Sequence, residues 1–305
     1  MAGPTGISAR HERVWRTAAI YLPYLWLGVF FLLPFLIVVK ISLADPIIAQ
    51  PPFTPLIDMS KEGFDRVYLS FDSYRFLFDD NLYVISYLKS IWFAAVSTVL
   101  CLVIGYPMAY GIARAGPVQR NILLMLVILP FWTSFLLRVY AWMGMLSTNG
   151  LINNALLAMG LIDAPLQILY TDTAVYIGIV YSYLPFMILP LYAALERLDQ
   201  QLIEAAYDLG ATRGRAFLDI TLPMSAPGVA AGCLLVFIPA MGEYVIPALL
   251  GGLDSLMIGR QLFNEFYANR DWPVAAAVAT ILLILLVVPM LWLNRLQSTD
   301  QTATR

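Results

Sequence analysis

The sequence predicts an all-α membrane protein of six transmembrane helices, on three observations. First, 60% of the 305 residues are hydrophobic, against roughly 45–50% in a soluble protein. Charged residues make up only 12%, and the mean hydropathy is +0.76. A soluble domain of this length cannot hide so much apolar surface, so lipid must solvate part of it. Second, six apolar stretches of 20 to 24 residues recur along the chain, the length that crosses a bilayer. Third, the basic residues between the stretches alternate between rich and poor sides, as orientation requires.

The stretches run Ala18–Val39, Ser90–Ala113, Ile122–Met145, Ala174–Leu195, Pro227–Leu250 and Val274–Leu293. The first follows Arg10, Arg13 and Arg16 and ends near Ser42-Leu43-Ala44, which imitates a secretory signal. Its apolar core of 22 residues is too long for one, so it reads as a retained helix. Prolines recur within the spans, including Pro23, Pro34, Pro107, Pro130, Pro185, Pro190, Pro239, Pro247 and Pro289. Membrane bundles tolerate them because neighbouring groups re-satisfy the freed carbonyls.

An even number of spans puts both termini on one side. With the termini cytoplasmic, ten basic and seven acidic residues lie inside, about +3. Seven basic and twelve acidic residues lie outside, about −5. The positive side faces the cytoplasm, which gives a multi-pass membrane protein with both termini cytoplasmic. The expected division is a cytoplasmic tail over 1–17, a transmembrane domain over 18–294 and a second cytoplasmic tail over 295–305. Within the membrane domain, 44–89 forms an outer segment carrying Pro51-Pro52 and an Asp-rich stretch ending at Asp79-Asp80, and 196–226 forms an inner loop.

Several function classes are excluded. The net charge of −2 leaves no basic footprint for nucleic acid. The single histidine, His11, sits in the N-terminal tail, so no histidine triad or zinc cluster forms within the membrane. None of the three lysines follows a glycine, so no phosphate-binding G-K-[ST] loop exists. The chain carries no catalytic, cofactor or metal site that its sequence reveals, and ATP-driven transport through it needs a second chain as engine. Cys101 and Cys233 lie in apolar runs and read as buried thiols.

The inner loop is the most informative segment. Asp199 is a good N-cap for a helix with apolar positions at Leu202, Ala205, Ala206 and Leu209. Gly210 fits the left-handed position that closes it. Thr212 can cap a second short helix carrying Phe217, Leu218 and Ile220, stopped by Leu222-Pro223. The paired alanines leave a flat surface for a partner groove.

Glu204-Ala205-Ala206, Gly210, Ile220 and Leu222-Pro223 match the full EAA motif of ABC-importer permeases in identity and spacing. The resemblance implies that these seven residues form coupling helices docking onto an ATPase subunit. Further runs resemble putrescine and polyamine importer permeases. The most specific is Phe237-Ile238-Pro239-Ala240-Met241-Gly242-Glu243-Tyr244-Val245-Ile246-Pro247, followed by Leu250-Gly251-Gly252 and Asn269-Arg270-Asp271-Trp272-Pro273. The likeness extends from about Tyr21 to Trp292. It implies a type I importer fold and a periplasm-to-cytoplasm route for polyamines, putrescine first, by alternating access. It also implies a non-identical second permease, two ATPase copies that bind ATP and Mg, and a periplasmic polyamine-binding protein. Another small solute (ferric iron, sulfate or an amino acid) is the alternative cargo. A stand-alone channel or an intramembrane enzyme is the alternative class, opposed by the EAA loop and by the absent catalytic constellation.

Two charges lie within spans, Arg138 and Glu243, and such residues are costly enough to imply function. In straight helices each sits roughly 24 Å from its cytoplasmic start, at 1.5 Å per residue. They either pair with each other, or Glu243 meets a substrate ammonium while Arg138 serves the structure. Pro239, Gly242 and Pro247 predict a broken helix at Glu243. Tyr244 and Trp132 are the aromatic faces best placed by sequence to hold an amine.

Overall fold

The computed structural model describes residues 6–55 and 69–303, with side chains at 15, 17, 19–55 and 69–287. The tail residues Arg10, His11, Arg13 and Arg16, the outer Lys61 and Arg66, and the C-terminal Arg295 and Arg305 fall outside the described side chains. Among the described residues the regular structure is helical, with one isolated β-bridge, Pro46 to Phe53. In chain order the helices are α1 (Gly6–Leu27), α2 (Leu33–Ser42), α3 (Asp72–Asp79), α4 (Asn81–Arg114) and α5 (Pro117–Ile128). Then come α6 (Phe135–Leu146), α7 (Leu151–Ala158), α8 (Asp172–Glu196), α9 (Gln200–Asp208) and α10 (Arg213–Ala216). The last are α11 (Leu222–Met241), α12 (Val245–Leu249), α13 (Ile258–Phe263) and α14 (Trp272–Ala303).

Two compact units divide the chain: residues 81–263, and the flanking segments 1–80 with 264–305. The 81–263 unit is built on α4, α8 and α11, which pack against one another. Their buried stripes explain the packing. Helix α4 buries Ser90, Phe93, Ala94, Ser97, Cys101, Gly105, Ala109 and Ile112, a helical period of small side chains. Helix α11 answers with Ser225, Gly228, Gly232, Val236 and Ala240. Small residues let backbones approach closely, which is how helices associate where lipid removes the hydrophobic drive. A Cβ on Gly228 would lie 2.5 Å from the Ala194 Cβ and 2.8 Å from the Pro190 carbonyl oxygen. Hydroxyls satisfy themselves locally: Thr98 donates to the Ala94 carbonyl at 2.7 Å. Tyr106 and Ser225 share a 2.9 Å bond that ties α4 to α11. Both cysteines are free thiols, Cys101 buried in this core and Cys233 half-buried against it.

In the other unit α14 packs on α2 and α3. Trp272 stacks on Phe266 at 5.1 Å, and Asp271 caps α14 by accepting the Val274 N–H at 3.1 Å.

Four helices are long and apolar enough to cross a membrane: Ala19–Ser42, Asn81–Arg114, Asp172–Glu196 and Arg213–Met241. A bent pair, Pro117–Trp132 with Phe135–Ala158, makes up to five, and Trp272–Val287 is a shorter apolar helix. The expected straight span Ile122–Met145 is therefore corrected: its two parts meet at 92°. Thr133 and Ser134 are extended, with ψ 151° and 137°. The Pro130 carbonyl, freed at the break, is taken up by both the amide and the hydroxyl of Thr133, at 3.2 and 2.8 Å. Within the expected span Pro227–Leu250 the long helix ends at Met241.

Candidate functional site

The inner loop folds from its caps. The Asp199 carboxylate accepts the Gln201 N–H at 3.0 Å and starts α9. The Thr212 hydroxyl accepts the Arg215 N–H at 3.4 Å and starts α10. Between them α9 closes with paired reverse bonds: the Gly210 N–H donates to the Tyr207 carbonyl and the Ala211 N–H to the Ala206 carbonyl, each at 2.9 Å. This Schellman geometry requires a left-handed residue, and Gly210 supplies it at φ +83°. The carbonyl of the second motif alanine thus anchors the turn that the motif glycine makes.

One expectation for the loop fails. Pro223 does not stop the second helix: the chain continues from Arg213 through a π turn at Phe217–Thr221 into α11, and this wide turn lies directly before the proline, whose N–H is missing from the ladder. Ile203, Leu198 and Ala216 form the loop's small core, with Ala206 and Ile220 packed against it. Leu202, Ala205 and Leu209 face outward, Leu209 at 89% exposure. Glu204, Gly210, Leu222 and Pro223 are exposed too. Of the motif residues, then, Ala206 and Ile220 hold the loop together, and the rest present a surface. Arg120 on α5 pairs with Glu196 at the end of α8 at 2.6 Å, fixing the helix that leads into the loop.

The break expected at Glu243 is present: α11 ends at Met241 and α12 starts at Val245. Glu243 is 7% exposed. Its Oε1 accepts the backbone N–H groups of Tyr244, Val245 and Ile246 at 3.2, 3.0 and 3.3 Å. Its Oε2 accepts the Tyr183 hydroxyl. One oxygen therefore caps the broken helix and the other is held by a side chain from α8. The segment beyond folds back on the break. The Ile258 N–H donates to the Ser90 hydroxyl at 2.7 Å, and a Cβ on Gly259 would lie 2.7 Å from the Glu243 carbonyl oxygen. The Tyr244 ring stacks on Phe263 at 4.3 Å and 13°.

Arg138 and Glu243 form no ion pair, and the equal depth inferred from straight helices does not apply across a 92° bend. The Arg138 guanidinium lies over the Phe131 and Phe135 rings at 5.5 and 5.8 Å. Its Nε is buried without a hydrogen-bond acceptor. Trp132, at the end of the turn before the bend, is 86% exposed. The residue that sequence reasoning underrated is Tyr183, whose contact with Glu243 spans 60 positions. Phe131 and Phe186, which meet edge-on at 5.1 Å, were not singled out. Among the described residues no cluster of three or more His, Cys, Asp or Glu is placed to hold a metal ion.

Comparison with known proteins agrees with this geometry. Residues 101–300 match the family described as the inner membrane component of binding-protein-dependent transport systems. The chain is 40% identical over 274 residues to the spermidine/putrescine transport system permease protein PotB of Haemophilus influenzae, covering 89% of this chain and 91% of that one. It is likewise 40% identical over 266 residues to the protein of the same description in Escherichia coli K12, covering 87% and 92%. A solved bacterial alginate ABC transporter, in complex with its pentasaccharide-bound periplasmic protein, has a chain that shares the fold at TM-score 0.69 and 18% identity, covering 94% of this chain and 95% of that one. The chain is a multi-pass transport component rather than an enzyme. It belongs to the family of inner membrane components of binding-protein-dependent transport systems.

Proposed function

We propose that this chain is the permease subunit of an ATP-driven importer that carries spermidine and putrescine from periplasm to cytoplasm. The observation that carries this reading is the 40% identity to polyamine permeases over nearly nine-tenths of the chain. The closed EAA loop supports the driving half of the mechanism. The loaded periplasmic binding protein docks outside, and two ATPase copies inside close on ATP. The exposed face around Glu204, Ala205, Gly210, Leu222 and Pro223 receives that movement. Ala206 and Ile220 keep the loop rigid enough to pass it to α11, which continues from the loop without a stop.

The full reading has six spans, the bent pair and the 272–303 helix each counted once, with both termini cytoplasmic. Segment 44–89 faces the periplasm and 196–226 the ATPases. A second, non-identical permease completes the passage. ATP and Mg belong to the partner ATPases. Within the membrane the carboxylate at the α11–α12 break is the one acidic group in the spans, and it favours a cationic cargo over an anion. Expression in polyamine-requiring cells that lack their own uptake tests the proposal. Growth on external putrescine or spermidine, dependent on all partner subunits, is the expected result. No growth with a fully assembled complex refutes it.

A further inference from the structure

Arg138 and Glu243, the two charges inside the spans, are joined by aromatic rings rather than by each other. The Arg138 guanidinium lies 5.5 Å from the Phe131 ring. Phe131 meets Phe186 edge-on at 5.1 Å, and Phe186 lies 6.1 Å from Tyr183. Tyr183 donates its hydroxyl to Glu243 Oε2. The three rings are not sealed in a core: Phe186 is 37% exposed, and Phe131 and Tyr183 are half-buried. The result is an accessible aromatic strip with an anion at one end and a cation at the other. Each end is also a helix break, at Thr133-Ser134 and at Gly242–Tyr244.

The carboxylate divides its labour in a way that matters for a cation. Oε1 carries the three backbone N–H groups, so the shape of the break depends on that oxygen. Oε2 carries a single neutral hydroxyl. An ammonium group on Oε2 forms a charge-assisted bond, roughly twice as strong as a neutral one. The exchange leaves the cap intact and never leaves a buried carboxylate oxygen unsatisfied. The methylene chain and further ammonium groups of a linear amine then find ring faces along the strip, until Arg138 repels them.

We propose, resting on the polyamine reading above, that Tyr183, Phe186 and Phe131 are specificity-determining residues for amine passage. The Tyr183 hydroxyl holds the position on Glu243 that a substrate ammonium takes, and Arg138 sets the far end of the strip. The longer amine is the one that reaches toward Arg138, since the ring centroids lie 6.1 and 5.1 Å apart and the guanidinium a further 5.5 Å on.

The test uses the complete reconstituted assembly with binding protein saturated by putrescine or by spermidine, and reads maximal uptake rates. Phe186→Leu and Phe131→Leu keep apolar bulk and remove the π face. Each is expected to lower both rates by about threefold to tenfold with assembly unchanged. Arg138→Gln is expected to raise the spermidine-to-putrescine rate ratio by about threefold or more, a change that a purely structural arginine would not produce. Tyr183→Phe is expected to lower the maximal rate with assembly intact, because the amine then leaves Glu243 more slowly. An unchanged ratio in Arg138→Gln, or wild-type rates in both leucine variants, overturns the proposal. So does loss of assembly in both leucine variants, which would make the strip structural. Failure of the wild-type assembly to take up either amine counts against the polyamine reading instead.

Discussion

Replacing Gly210 by valine puts a β-branched side chain on a residue at φ +83°. A Cβ there meets no heavy atom within 4 Å, so steric collision adds nothing and the cost is backbone strain alone. That strain is about 1–2 kcal/mol for a left-handed residue, which shifts the loop's conformational equilibrium by a factor of roughly 5–30. The conformers that relieve it must give up the bonds from Gly210 to Tyr207 and from Ala211 to Ala206, both 2.9 Å. The exposed face of α9 then loses its fixed angle to α10 and α11. Gly210→Val is expected to insert and assemble and to allow ATP hydrolysis, while the amine moved per ATP falls by up to that factor. Gly210→Asn, which tolerates the left-handed conformation, should retain most of the coupling. Uptake and hydrolysis measured in the same vesicles decide the matter. A normal amine-to-ATP ratio in the valine variant refutes the coupling argument.

Gly228→Val should lower the melting temperature of the solubilised protein by the equivalent of about 1–3 kcal/mol, because its Cβ would sit 2.5 Å from that of Ala194. Gly144→Ala, with nothing within 4 Å, should be neutral or stabilising in the same melt. Because Arg138 and Glu243 are not paired, Arg138→Gln should not rescue the assembly of Glu243→Gln, and recovery in the double variant on a detergent gel would contradict the site described above. Burial, with the neighbouring Glu265 charge, pushes the Asp271 carboxyl above the ordinary aspartate range, although the Val274 N–H favours its ionised form. A raised folded-state value means that ionisation weakens the fold. Stability from this group should therefore rise as pH falls through the folded value, and level off below the unfolded one. Asp271→Asn should remove that increment, read as a smaller gain in melting temperature as pH falls from neutral into the ordinary aspartate range.

The sequence carries the inner loop almost completely, because caps and a left-handed glycine are local devices. Asp199, Thr212 and Gly210 each do what their chemistry dictates within four residues of chain. The break at Glu243 is legible for the same reason, since Pro239, Gly242 and Pro247 cluster there. The 92° bend is harder to read. Pro130 is one of many tolerated span prolines, and the deciding feature is Thr133, whose hydroxyl takes up the Pro130 carbonyl. A threonine three residues after a span proline is the signal that could have found it. The Tyr183–Glu243 bond has no local signal at all, because it joins α8 to the end of α11 across 60 positions. The periodicity of Leu202, Ala205 and Leu209 describes an apolar surface of α9 without saying what covers it. In the structure Ile203 turns inward.

The most direct measurement is accumulation of radiolabelled spermidine and putrescine in vesicles that contain this chain, its partner permease and the ATPase, with binding protein on one side and ATP on the other. The account predicts accumulation against a gradient that requires both ATP and the binding protein. Unlabelled polyamines should compete, and sulfate, ferric iron and amino acids should not. Accumulation of one of those other solutes by an assembly that leaves both amines outside would contradict it.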